Sequence, residues 1–163
     1  MTDYLKGYIK GLAVGILCAS FSVSVSAQAF SLPELDDQWG EQLTQPVASE
    51  WVILSTGKSG GGLVKEVLTA LEIKDLSALN IRYVSDISGM PSFITNWIAL
   101  PKMQTLPFKI YLDKTGDATR EWPRKEGFVS VFNIADSEVG ETLYFDDETA
   151  LKQFILKVKA SVK

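Results

Sequence analysis

Lys58, Ser59 and Asp86 are the side chains of this sequence with the most chemistry to offer, and Gly60, Gly61 and Gly62 follow directly on the first two. A glycine run ahead of a helix exposes backbone N–H groups, and a lysine beside it adds positive charge. Together they can hold a phosphate, a sulfate or a carboxylate. The same run also reads as a plain flexible loop. Gly57-Lys58-Ser59 has the ending of a nucleotide phosphate loop, but the glycine that motif needs five residues earlier is Val52. Asp86 follows an apolar run. There a carboxylate is either a buried crevice acid with Lys58 as partner or the cap of a turn. Asp146-Asp147-Glu148 gathers negative charge without the regular spacing of a calcium loop. A helix N-terminus welcomes the same charges.

Two counts narrow the chemistry further. The chain has no histidine, and its one cysteine is Cys18. Cys18 sits in the leading segment, where Lys6 and Lys10 precede a run of apolar and small residues from Gly11 to Val25, followed by Ser26-Ala27-Gln28-Ala29. That is the layout of a secretory signal with a small-residue cleavage site. The run is about 15 residues, short of the roughly 20 that span a bilayer. Cleavage after Ala27 and cleavage after Ala29 both satisfy the pattern. Residues 1–27 are therefore expected to be removed and residues 28–163 to form one exported, periplasmic domain. An uncleaved anchor is the alternative. Leu17 before Cys18 argues against a lipoprotein, which wants a small residue there.

Without Cys18 the exported chain owns no thiol and no imidazole. Disulfide exchange, Cys-His or Ser-His-Asp hydrolysis, haem ligation and ordinary zinc binding then lack their residues. No metal and no cofactor is expected, and no Gly-x-Gly-x-x-Gly is present to hold a dinucleotide. The net charge is −4, and loss of the signal makes it one unit more negative. Nucleic acid and anionic lipid are poor partners for such a chain.

The elements that must position these residues follow from periodicity. Phe30 to Thr44 reads as an extended leading segment with a turn or small hairpin. Trp51-Val52-Ile53-Leu54 is a strand buried on both faces. After the loop Ser55–Gly62, Leu63, Val64, Val67, Leu68 and Leu71 recur at helical spacing. The unit repeats: strand Ile81–Ser85, loop Asp86–Pro91, then a helix capped by Ser92, holding Phe93, Ile94, Trp97 and Ile98 and ending near Pro101. Two such units imply parallel strands with helical crossovers. Phe108–Leu112, Gly127–Ile134 and Thr142–Phe145 read as antiparallel strands, with turns at Asp113–Gly116 and at Gly140. A last helix capped by Asp146 or Asp147 carries Leu151, Phe154, Ile155 and Val158 on one face. The four tryptophans, Trp39, Trp51, Trp97 and Trp122, are expected to pack in or beside the core.

This order resembles the thioredoxin-like fold: α/β, a central mixed sheet of four to five strands flanked by helices, preceded by the signal helix. Phe30-Ser31-Leu32-Pro33-Glu34-Leu35-Asp36 resembles the leading hairpin of membrane-associated thiol-disulfide proteins and peroxiredoxins. Trp51 to Leu68 resembles their strand, active-site loop and helix. Leu106 to Gly116 resembles the segment that opens with their cis-proline, which would be Pro107. Asp86-Ile87-Ser88-Gly89-Met90-Pro91 is also similar to an uncharacterised group of exported proteobacterial thioredoxin-like proteins. The resemblance implies three loops meeting at one sheet edge, grouping Lys58, Ser59, Gly60, Gly61, Gly62, Asp86, Ser88, Met90 and Pro107. It also places Ser59-Gly60-Gly61-Gly62 where that family has Cys-x-x-Cys. A serine hydroxyl does not replace a thiolate, so the family's redox activity is not expected here. The reading is a non-catalytic periplasmic protein that binds a peptide, an envelope protein or a small anion at those loops. One rival is a cysteine-free enzyme using Ser59, Asp86 or Lys58. Another is a redox accessory protein that depends on a partner's thiols.

Overall fold

The computed structural model describes residues 30, 32–42, 49–136 and 138–162. The segment read as an export signal, Cys18 included, lies outside the described residues.

The centre of the molecule is strand β2 (Ser49–Thr56), whose Val52, Ile53 and Leu54 are wholly buried. Strand β3 (Ile81–Asp86) pairs with it in parallel, and β5 (Val129–Ala135) pairs antiparallel on its other side. Around these run β1 (Asp36–Asp37), β4 (Tyr111–Asp113) and β6 (Glu138–Phe145). The order is β1-β4-β3-β2-β5-β6, so the sheet has six strands rather than four to five.

Alternation along the strands builds a core on each face. On one face Ile53, Tyr83, Val129 and Val131 meet Val64, Val67 and Leu68 of helix α1 (Gly57–Ala70). Leu151, Ile155 and Val158 of helix α4 (Glu148–Ser161) complete that layer. Asp147 caps α4 as expected, its carboxylate accepting from Ala150 N at 2.9 Å. On the other face Val52, Leu54, Val84, Phe132 and Ile134 are covered by Leu32, Leu35 and Trp122. Phe30, Trp122 and Phe132 form a tilted and edge-on aromatic triangle with centroids 5.3–5.7 Å apart, a geometry that adds about 0.5–1.5 kcal/mol per pair to simple burial.

Four expectations change. First, β4 runs parallel to β3, pairing Val84 with Tyr111 and Asp86 with Asp113. The helical crossover between them returns the chain to its original direction, so β2, β3 and β4 run together, with β5 antiparallel to β2, β6 antiparallel to β5 and β1 antiparallel to β4. Second, no loop follows β2, because α1 starts at Gly57. Third, Gly140 lies inside β6 rather than in a turn. A Cβ there would stand 3.7 Å from Asn133, where the β5–β6 register shifts. Fourth, the helix from Ser92 runs past Pro101. It consists of α2 (Ser92–Ile94), a π-turn (Thr95–Ala99) and α3 (Leu100–Met103), and Ser92 makes no capping bond.

The leading hairpin is as expected, and one side chain fastens it. Gln38, 1% exposed, donates from Nε2 to Phe108 O and accepts Ile110 N at Oε1, both at 2.7 Å. Gln38→Leu keeps the volume but strands two buried backbone groups. Each costs about 1–3 kcal/mol, so a loss of about 2–6 kcal/mol is expected from the urea midpoint at constant slope.

Candidate functional site

Gly57 has a φ of +65°, a region glycine enters freely, and this lets the chain pass from strand to helix with no connecting residue. Gly60 then packs flat on the strand it has just left: a Cβ there would lie 3.5 Å from Ser55 Cβ and 3.7 Å from Val129 Cγ2. The Gly60-Gly61-Gly62 run is thus part of the first turns of a helix seated close on the sheet. Thr56 occupies the cap position without a side-chain capping bond, and the first turn carries no acidic residue. The early N–H groups of α1 therefore have no side-chain acceptor, and the helix end keeps its partial positive charge.

Beside that helix end lies a cleft of ≈ 350 Å³ formed by Thr56, Gly57 and Lys58 on one side and Asp86 to Met90 on the other. A shallower surface on the far flank joins Lys58, Ser59 and Gly62. Lys58, Asp86, Ser88 and Met90 are therefore brought together, with Ser59 and Gly62 at the margin. Gly60 is buried beneath, and Gly61 faces inward toward Tyr83 OH and Ser55 Oγ.

Pro107 belongs elsewhere. It precedes β4, and because β4 is parallel to β3, Pro107 sits at the opposite end of the strands. It lines a separate cavity of ≈ 500 Å³ with Trp39, Lys74, Asp75, Lys109 and Tyr111. All peptide bonds among the described residues are trans. In that cavity a hydrogen bond to Glu41 raises the Lys109 pKa, and one from Ser77 lowers that of Asp75. The segment that does enter the sheet beside the α1 N-terminus is Gly127-Phe128-Val129, since Leu54 pairs with Ser130. The Lys125 ammonium lies 3.7 Å from the centre of the Phe128 ring.

Asp86 is paired, but with Arg124 rather than Lys58. Its Oδ1 accepts Ser88 N at 3.0 Å and Ser88 Oγ at 2.7 Å, and its Oδ2 accepts Arg124 Nη1 at 3.3 Å. Arg124 Nη2 continues to the Thr119 carbonyl and to Thr119 Oγ1, the latter at 3.1 Å. Thr119 in turn donates to Asp113 Oδ2 from N at 2.8 Å and from Oγ1 at 2.9 Å. The other oxygen of Asp113 accepts Gly116 N at 2.7 Å and Thr115 N at 3.2 Å. Asp113, Thr119 and Arg124 are members of the network that holds Asp86 which the sequence reading did not connect to it. The Asp113–Gly116 turn was a visible signal. Arg124, 38 residues from its partner, gave none.

Under the α1 N-terminus Ser55 Oγ bonds Tyr83 OH at 2.9 Å and donates to Ser85 Oγ at 3.1 Å. Burial pushes the Tyr83 phenol above its ordinary value of 10.0, against the hydroxyl contacts that lower it. Ser59 is exposed and makes no hydrogen bond among the described residues, so nothing there withdraws its proton. The arrangement can bind a polar or anionic group through backbone N–H and Lys58. It holds no activated nucleophile.

No protein-family model matches the sequence, and no curated protein matches it. Solved structures do. One is a protein assigned as the thiol:disulfide interchange protein DsbE from Chlorobium tepidum, at 17% identity and a TM-score of 0.51. That match covers 80% of this chain and 96% of that one. Another is an uncharacterized thioredoxin-like protein from Porphyromonas gingivalis, at 12% identity and a TM-score of 0.53, covering 82% and 91%. At these identities the likeness is one of fold, and the fold of this chain is thioredoxin-like.

Two outcomes follow. Arg124→Met should cost about 1–2 kcal/mol by leaving Asp86 short of a donor. Combined with Asp86→Asn, the loss in a urea double-mutant cycle should be less than additive. Tyr83 gives a pH signature. The folded state keeps its proton where an unfolded tyrosine gives it up. Its contribution is therefore full below pH 10 and falls as pH rises above it. Absorbance titration at the tyrosinate band should show one late phenol, absent in Tyr83→Phe.

Proposed function

We propose that this thioredoxin-like chain is a non-catalytic periplasmic protein that holds a peptide or protein partner, or a small anion, at the cleft between the α1 N-terminus and the Asp86–Met90 loop. One observation carries the reading. The helix end that opens on the cleft offers uncapped N–H groups and Lys58, yet has Ser59-Gly60-Gly61-Gly62 in its first turns and no base beside Ser59. Such a site can attract and orient a ligand, but it lacks the thiolate needed to exchange electrons with one. The periplasmic placement is supported by the leader read in the sequence. The cysteine-free enzyme reading is less favoured, because Asp86 already bonds Ser88 and Arg124 and no base stands beside Ser59.

A photoreactive residue placed at Ser88 should crosslink a partner in cells, whereas one at Lys152 on α4 should not. Equal labelling from both positions would overturn the proposal, and none from either would remove the peptide or protein partner from it. Reduction of insulin by dithiothreitol should run at its background rate with the chain present, and a clear acceleration would return the chain to redox chemistry.

A further inference from the structure

The helical segment 92–103 turns three large apolar side chains to solvent. Trp97 is 83% exposed, Phe93 65% and Ile98 46%. The sequence reading expects Trp97 in or beside the core. The backbone explains the reversal. Leu100 N donates to Thr95 O, five residues back, so the helix carries a π-turn. The wider turn lets Thr95, Leu100 and Met103 keep facing inward while Trp97 and Ile98 both stay outside. Turns of this kind are rare and concentrate at functional positions. An aromatic ledge held outward by one is a surface kept for contact.

Charge and continuity say what the ledge meets. From Ile87 to Leu112 there is no aspartate or glutamate, in a chain of net charge −4. Lys102 lies on the ledge helix and is exposed, and Lys58 stands exposed at the cleft. Neither forms an ion pair among the described residues. The one carboxylate bordering the cleft, Asp86, is turned onto Ser88 and Arg124. Met90 lines the cleft, and the ledge helix begins two residues later at Ser92.

We propose that the Phe93–Trp97–Ile98 ledge docks an extended, acidic and apolar segment of another polypeptide, with apolar side chains on the aromatic rings and carboxylates toward Lys102 and Lys58. The segment runs on into the cleft, so the inference rests on the cleft being a binding site. A polypeptide fits better than a bilayer. A planar membrane cannot follow the surface into the cleft.

The test uses the protein in the form its cell leaves it, and labelled decapeptides alternating Leu or Phe with Glu, read by fluorescence anisotropy. Matched peptides carry Lys in place of Glu. The acidic peptide should bind at least about tenfold tighter than the lysine one and weaken with added salt. The pair Phe93→Ser and Trp97→Ser should weaken it about tenfold or more, and Lys102→Glu should weaken it as well. Gly89→Leu fills the cleft at a position where a Cβ meets nothing within 4 Å, and it too should weaken binding. Circular dichroism on each variant confirms the fold. If only Gly89→Leu matters, the cleft reading stands and the ledge inference falls. If only the ledge variants matter, the cleft reading falls and the proposed path of the segment into the cleft falls with it. Equal binding of acidic and lysine peptides overturns the inference. So does Trp97-dependent capture by phosphatidylethanolamine–phosphatidylglycerol vesicles without peptide binding.

Discussion

Two carboxylates leave the sheet side by side. Asp86 ends β3, Asp113 ends β4, and the parallel register makes them direct neighbours. They are 8% and 1% exposed, so water solvates neither of them well. Two like charges this close in a low-dielectric setting are tolerable only if protein donors replace the lost hydration. The chain supplies them from three separate segments. Ser88 serves Asp86, the 115–119 turn serves Asp113, and Arg124 spans Asp86 and Thr119. Hydrogen bonds to charged groups contribute about 1.5–3 kcal/mol each, enough together to fix every loop they reach. Gly116 shows how tight the arrangement is. A Cβ there would come within 2.7 Å of Ser88 Oγ. The floor of the cleft is therefore set by electrostatics before any ligand arrives.

What could be read from the sequence divides along the same line between local and non-local causes. The leading hairpin, the doubly buried β2, the α1 core stripe and the Asp147 cap all depend on a few adjacent residues. Periodicity and turn chemistry expose such features. The direction of β4 does not. Phe108 to Leu112 looks the same in either orientation, and only the crossover through 92–103 decides that β4 runs with β3. Pro107 went to the wrong end of the sheet for this one reason. The ion pair of Asp86 likewise depends on where residue 124 returns in space. Lys58, the nearer choice in sequence, is not the nearer donor.

Glycine misled in an instructive way. Gly57 to Gly62 has the composition of a loop, and glycine weakens a helix interior by about 1 kcal/mol relative to alanine. The structure makes it helix nonetheless. The tight passage at Gly57 uses a φ of +65° that glycine enters freely, and Gly60 lies in van der Waals reach of Ser55. Tertiary contact outweighs local propensity because α1 buries Val64, Val67 and Leu68 only if its first turn sits down on β2. Trp97 failed in the opposite sense. Its spacing fits a core stripe until the π-turn rotates it outward, and no residue between Thr95 and Ala99 announces that turn.

The hydroxyls under α1 bear on what the helix end can do. Ser55, Tyr83 and Ser85 spend their hydrogen-bonding capacity largely on one another, and Tyr83 holds its proton more firmly than an exposed tyrosine would. They make a rigid, uncharged floor beneath Gly60 and Gly61, and they supply neither a base nor a counter-charge to the residues above. The positive end of the α1 dipole thus reaches the cleft unanswered from below. A thiolate placed there would be stabilised by that field, but Ser59 gains little, because its hydroxyl carries no charge to stabilise. The same feature that activates a thiol is left, over a serine, with one use: attraction of a ligand's negative or carbonyl group, which is what a site built to hold rather than to react requires.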